Sequence, residues 1–294
     1  MSRFGQVRRA LARGSPPSAY APNRGPLIGS IALRGLMGLQ GHIAWVTGGG
    51  RGIGRACALA LAREKCAVAV TARTAGQVQA TADACTETGA RAMHAVCDVT
   101  DAGQVAHTYR EIVQTLGPPD ILVNNAGWAR SAPFLKETIQ SVDDHIQVNL
   151  HGAFHATQAA IPPMLEKKWG RIVVVASVAG KVGAPYTAAY TASKHAAVGL
   201  TRALASEFAE KGITVNAVCP GYTDTELTRE NIRRAAEKTG KSVAEMHERF
   251  KSFSPQGRFT TPEEVAHVVL FLCSEAAGNI NGQAITIDGG GVQW

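Results

Sequence analysis

Tyr190 and Lys194 stand four residues apart in VVVASVAGKVGAPYTAAYTASKHAAVG, and Ser177 lies thirteen residues before the tyrosine, at the end of an apolar run. A phenol's ordinary pKa of about 10 is too high for efficient proton exchange near neutral pH. On a helix, Lys194 shares the face of Tyr190 one turn further on, and its ammonium favours the phenolate. The three side chains therefore suit a general acid/base (Tyr190), a cation that lowers its pKa (Lys194) and a hydroxyl able to hydrogen-bond a developing oxyanion (Ser177). Tyr-x-x-x-Lys alone is also what an exposed helix face can carry. Tyr186 sits four residues before Tyr190 and so has no lysine one turn on.

A second constellation, TGGGRGIGR from Thr47 to Arg55, places five glycines in nine residues. It follows the first apolar run and precedes a helical pattern. There the free backbone N–H groups and positive helix end meet a dinucleotide pyrophosphate. The spacing is Gly48-x-x-x-Gly52-x-Gly54, with Arg51 and Ile53 between the glycines. An NAD-selective site carries an acid about 20 residues on, at the end of the second strand. Here that strand ends in AVAVTARTAGQ, with no acid between Glu64 and Asp83. Ala72 takes the acidic position and Arg73 follows it, so nothing repels a 2′-phosphate while Arg73 and Arg51 could pair with it. This favours NADP(H), with NAD(H) possible. The competing reading makes both arginines solvated surface charges.

These groups must be positioned by the rest of the chain. Short β-branched runs alternate with longer helical patterns from Gly38 onward: HIAWVTG, a helix to Lys65, AVAVTAR, a helix around 75–88, RAMHAVCDV, a helix about 102–116 and DILVNNAG. Helical regions at about 139–168 and 187–211 precede RIVVVAS and ITVNAVCPG, and a helix starting at Pro262 precedes AITIDGG. Strand and helix alternating about seven times imply an α/β, doubly wound, mostly seven-stranded parallel sheet with helices on both faces. Every strand's carboxyl end then falls on one edge, where ligands bind.

Composition narrows the remaining classes. The net charge of +7 comes largely from six arginines in residues 1–41, which hold no acid; the rest has 24 basic against 23 acidic residues. No nucleic-acid surface is expected. No apolar run is long enough for a membrane span. Six scattered cysteines lack metal or disulfide spacing and read as small buried hydrophobes, so no metal is expected. His151 and His155 share a helix face without a third ligand and read as one packed and one exposed side chain. Residues 1–36 are expected to be a disordered, Arg-rich extension, dispensable or a transit peptide. That leaves the site cytoplasmic or, with a transit peptide, mitochondrial.

The tyrosine, lysine and serine pattern resembles the active site of the short-chain dehydrogenase/reductase family. The glycine loop has that family's spacing, and so do CDV (Asp98, Val99), NNAG (Asn124 to Gly127), Asn149 in IQVNL, PG (Pro220, Gly221) and IDGG. The matches run in order from about 39 to 291. The resemblance implies one Rossmann-type catalytic domain over 37–294, with a mobile substrate lid at about 222–260. It implies hydride transfer between NAD(P) and a carbonyl or secondary alcohol, with Lys194 also binding the nicotinamide ribose and Asn149 supporting a water-mediated proton relay. Asp98 and Val99 would flank the adenine, Asn125, Ala126 and Gly127 the ribose side, and Thr223 or Thr225 the carboxamide. The chain looks most like 3-oxoacyl-thioester reductases and 3-hydroxyacyl dehydrogenases. An acyl-CoA or acyl carrier protein substrate would follow, with Arg229, Arg233 and Arg234 meeting its phosphates or lying in a solvated helix. A secondary or cyclic alcohol dehydrogenase and a nucleotide-sensing regulator are the alternatives. Trp128, Val178 and Val182 are candidate pocket walls or core. The family usually forms dimers or tetramers, so a homodimer or homotetramer through helices 139–168 and 187–211 is expected.

Overall fold

The computed structural model describes residues 37–293. The expectation of a disordered extension at 1–36 lies outside them. Seven strands form one parallel sheet: β1 (Ile43–Thr47), β2 (Ala67–Ala72), β3 (Ala92–Val96), β4 (Ile121–Asn124), β5 (Gly170–Val175), β6 (Ile213–Pro220) and β7 (Ala284–Ile287), in the order β3-β2-β1-β4-β5-β6-β7. Every pairing is parallel. The order reverses between β1 and β4, which opens a crevice at their carboxyl ends.

Alternation along the strands explains the two covered faces. Ala44, Val46, Val68, Val70, Ile121 and Val123 pack on α1 (Gly52–Arg63) and α2 (Ala75–Glu87). Their neighbours Trp45, Ala69 and Leu122 pack on the other face against α3 (Ala102–Thr115) and residues 156–164. Trp45 is fully buried, and its indole N–H donates to Thr71 Oγ1 at 2.9 Å, so the largest core side chain leaves no polar atom stranded.

The helical stretch at 139–168 is not one helix. It comprises α4 (Ile139–Ile146), a π-helical turn (Gln147–His151) that carries Asn149, and α5 (Gly152–Lys167). The stretch at 187–211 is α6 (Ala188–Phe208) closed by a 3-10 turn. Between β6 and the closing helix α9 (Pro262–Cys273) come α7 (Glu226–Thr239) and α8 (Val243–Lys251), which bury Ile232, Ala236 and Met246 in a small core of their own. Proline at the first turn and a Thr261–Glu264 capping box start α9.

All six cysteines are buried and free, and burial pushes the Cys57 and Cys66 thiols up to about 12, as inert core residues require. Among the described residues no cluster of His, Cys, Asp or Glu could hold a metal, and no helix is long and apolar enough to cross a membrane. His151 and His155 are both half-buried rather than one packed and one exposed, because His155 Nδ1 is 3.1 Å from the Val99 carbonyl and the rings are 6.3 Å apart.

Opposite the ligand edge, Asp120 joins three strands. Its Oδ1 accepts from the Ile43 amide at 2.9 Å, Oδ2 lies 3.2 Å from His42 and 3.3 Å from Lys167, and its carbonyl accepts from Arg171 N. Burial opposes the charge, but the His42 and Ile43 hydrogen bonds and the Lys167 ammonium outweigh it and hold the carboxyl below its usual range. Asp120→Ala should therefore lower unfolding free energy at pH 7 by about 2–3 kcal/mol in urea titrations. A depressed carboxyl stabilises above its unfolded pKa of about 3.9 and loses that contribution as pH falls through the folded value. The gap between wild type and variant should close at low pH; an unchanged gap contradicts this role.

Candidate active site

The glycine loop is shaped by what lies against it. Gly48 has φ +62, and a Cβ there would come 2.8 Å from Ala126 Cα, so only glycine lets the end of β1 run this close to the end of β4. At Gly54 a Cβ would fall on the Gly48 carbonyl and the Asn125 amide nitrogen. Asn125 fills that space because its Nδ2 donates to the Thr47 and Gly48 carbonyls at 3.0 and 2.9 Å. Thr47 Oγ1 accepts from the Asn125 and Ala126 amides. No side chain caps α1 and no acid sits in its first turn, which leaves the amides of Gly52, Ile53 and Gly54 for an anion.

Tyr190 and Lys194 emerge from the first two turns of α6. Lys194 is only 5% exposed, and its Nζ donates to the Val175 carbonyl at the end of β5, at 2.9 Å. A lysine has three donors, and among the described residues one of them has an acceptor. On another side, a Cβ on Gly127 would lie 3.5 Å from Lys194 Nζ and 3.2 Å from Asn149 Oδ1. Side-chain-free backbone there leaves room for a ligand beside the ammonium. Burial lowers Lys194 to about 8. Burial also raises the Tyr190 phenol, a shift the Ser177 hydroxyl opposes by hydrogen bonding and Tyr222 and Cys219 reinforce.

This corrects one expectation. The Tyr190 phenol is held above its ordinary pKa rather than below it, with Lys194 5.9 Å from its ring centre. Desolvation, which disfavours the charged form of each group, dominates both. Ser177 turns at the end of β5, and its Oγ accepts from the Ala179 amide at 3.1 Å. Asn149 is buried in the π-helical turn. Its side chain clamps both backbone groups of Trp128 at 2.9 Å and donates to Ser193 Oγ, which in turn donates to the Tyr190 carbonyl. The Asn149 side chain thus joins the wall after β4 to α6.

The remaining expected residues line the same edge with different duties. Asp98 Oδ1 accepts from the Thr100 amide and hydroxyl, and Val99 is buried. Ile53 packs its side chain on the core, leaving only its amide toward the crevice. Gly221, after Pro220, bonds the Ile287 carbonyl through its amide. Thr223 is buried, and Thr225 caps α7 while its methyl group would be 3.2 Å from a Cβ on Gly52, so α7 begins against the glycine loop. Trp128, Val178 and Val182 are half-buried. Tyr186 is exposed, with φ +66, outside the half-buried position that Tyr190 takes.

Arg73 is exposed at the end of β2, whose Thr71 carbonyl accepts from the Gly49 amide of the loop. Arg51 lies 3.8 Å from Glu226. On α7, Arg229 pairs with Asp224 at 2.8 Å, Arg233 with Glu226 at 4.0 Å and Arg234 with Glu230, all as exposed ion pairs. Sequence reading missed Thr47, Ser193, His145 and Tyr222. Thr47 and Ser193 had one signal, a hydroxyl directly beside a motif residue; the others had none.

Known proteins share this arrangement. A family model described as enoyl-(acyl carrier protein) reductase matches residues 48–291. A 3-oxoacyl-[acyl-carrier-protein] reductase of Aquifex aeolicus is 36% identical, covering 86% of this chain and 98% of its own length. A D-beta-hydroxybutyrate dehydrogenase of Cupriavidus necator is 36% identical over 86% of this chain and 99% of its own. The crystal structure of a point variant of actinorhodin polyketide ketoreductase with NADPH superposes with a TM-score of 0.83 at 35% identity, covering 86% of this chain and 98% of the other. The chain belongs to the short-chain dehydrogenase/reductase family and is an NAD(P)-dependent oxidoreductase. The glycine cradle and the unspent Lys194 donors fit such a cofactor.

Gly54→Ala should raise the Kd for NADPH at least about tenfold, because the loop or the end of β4 must shift to clear the new methyl group. Fluorescence titration reads it, and an unchanged Kd contradicts the clamp.

Proposed function

We propose that the protein reduces the keto group of a 3-oxoacyl thioester with NADPH, and in reverse oxidises the 3-hydroxyacyl product. The observation that carries this is the buried Lys194 ammonium, held on Val175 beside the Tyr190 phenol and next to the glycine cradle. The bound nicotinamide supplies the hydride. Tyr190 hands its phenolic proton to the substrate oxygen, and Ser177 hydrogen-bonds that oxygen as negative charge grows on it. Lys194 directs its spare donors to the cofactor ribose, and Asn149 holds the adjoining wall. Asp98, Val99, Asn125, Ala126 and Gly127 shape the nucleoside side, and Pro220, Gly221, Thr223 and Thr225 the nicotinamide side.

Ala72 and the exposed Arg73 support NADP(H) over NAD(H), since a carboxylate would repel the 2′-phosphate that a guanidinium binds. The acyl carrier protein named for the Aquifex relative supports a carrier-bound or CoA-bound acyl group. The hydroxybutyrate dehydrogenase supports a second reading, oxidation of a short free hydroxy acid. Acetoacetyl-CoA with NADPH against 3-hydroxybutyrate with NADP⁺ or NAD⁺ separates the two.

Tyr190→Phe should lower kcat at least about a thousandfold while NADPH still binds with wild-type affinity. Retained turnover contradicts the assignment. A lysine with its pKa lowered to about 8 is charged below that value and neutral above it, whereas the raised Tyr190 pKa keeps the phenol a donor throughout. The kcat/KM for reduction should therefore fall as pH rises through about 8. Lys194→Arg should move that fall to higher pH. A profile flat to pH 9.5 or beyond, roughly a lysine's ordinary range, contradicts this.

A further inference from the structure

His145 lies in the last turn of α4, just before the π-helical turn that holds Asn149, and none of its surface is exposed. A buried imidazole must satisfy both ring nitrogens or strand a polar atom. Backbone satisfies both here. The Arg130 amide donates to Nε2 at 3.1 Å, and Nδ1 lies 2.6 Å from the Ser141 carbonyl. An amide N–H only donates and a carbonyl only accepts, so the ring is the neutral Nδ1–H tautomer.

The ring also has two aromatic neighbours. Trp128 stacks on it at a tilt of 39°, with centroids 4.3 Å apart, and the Tyr190 ring meets it nearly edge-on at 6.1 Å. The wall after β4 is pinned at alternate amides: Trp128 by Asn149, Arg130 by His145 and Ala132 by the Tyr186 carbonyl. Only the middle acceptor belongs to a ring that packs on both the wall's indole and the phenol. Local sequence does not require histidine there, since an apolar residue would fill the space but leave the Arg130 amide without a partner.

We propose that His145 is a positioning residue of this site: its Nε2 fixes the 128–132 wall, and its ring sets Trp128 and Tyr190 in register with each other. The inference rests on Tyr190 being the proton donor. Glutamine can present an amide oxygen where Nε2 stands and so accept from Arg130. Asparagine reaches only the Nδ1 position and serves only Ser141.

His145→Asn should speed hydrogen exchange of the 128–132 amides, raise KM for acetoacetyl-CoA and lower kcat about tenfold or more, with the Kd for NADPH within about twofold of wild type. His145→Gln should restore exchange protection and bring kcat back to within about threefold. Equal losses in both variants, or wild-type exchange and kcat in the asparagine variant, overturn the proposal. If the asparagine variant does not fold, a glutamine variant with unprotected 128–132 amides overturns it as well. Tyr190→Phe, run alongside, isolates the underlying assignment. Full turnover there refutes the proton donor, while the exchange contrast still decides whether His145 holds the wall.

Discussion

A lysine ammonium with almost no water around it and one protein acceptor is the constraint on which the site depends. Lys194 donates to the carbonyl of Val175, the last residue of β5. Two unspent donors on a buried cation are costly unless something meets them. The side-chain-free backbone of Gly127 gives a ligand access to that position. Burial drives Lys194 and Tyr190 toward their neutral forms, which suits a phenol that must still carry its proton when the substrate's oxygen becomes basic.

The scaffold brings this pair to the glycine loop through a few long-range ties. Asn125 and Thr47 sew the end of β4 to the end of β1, where the sheet order reverses. Asn149 and Ser193 sew the following wall to α6. The segment between β6 and α9 joins the same frame through Thr225, which packs over Gly52, and its Tyr222, Phe250 and Phe253 cluster with ring centres 4.8 to 6.0 Å apart. Lys238 of α7 donates to the Ser131 carbonyl at 3.1 Å, linking α7 to the wall.

Local patterns carried the sheet, its helices, the glycine loop and the Tyr190–Lys194 pair, since each is a periodicity or spacing read within one or two turns. What was illegible is tertiary. The break at Gln147–His151 interrupts an unbroken helical pattern, and it carries Asn149, whose partner Trp128 is 21 residues away. The expected depression of the Tyr190 pKa followed from sequence spacing alone; folding supplied burial, and burial is the larger influence. Spacing also does not reveal that Asp224, Glu226 and Glu230 turn toward Arg229, Arg233 and Arg234. Hydroxyls at Thr47 and Ser193 were visible beside the motifs, but their partners were not.

The most direct measurement of this account is an NMR titration of the Lys194 side-chain amine in ¹⁵N-lysine-labelled, cofactor-free protein, assigned by its loss in a Lys194→Arg sample. The account predicts a midpoint near 8, the signature of a cation stripped of water. A midpoint at the ordinary lysine value of about 10.4 would mean that the amine is hydrated, and would contradict it.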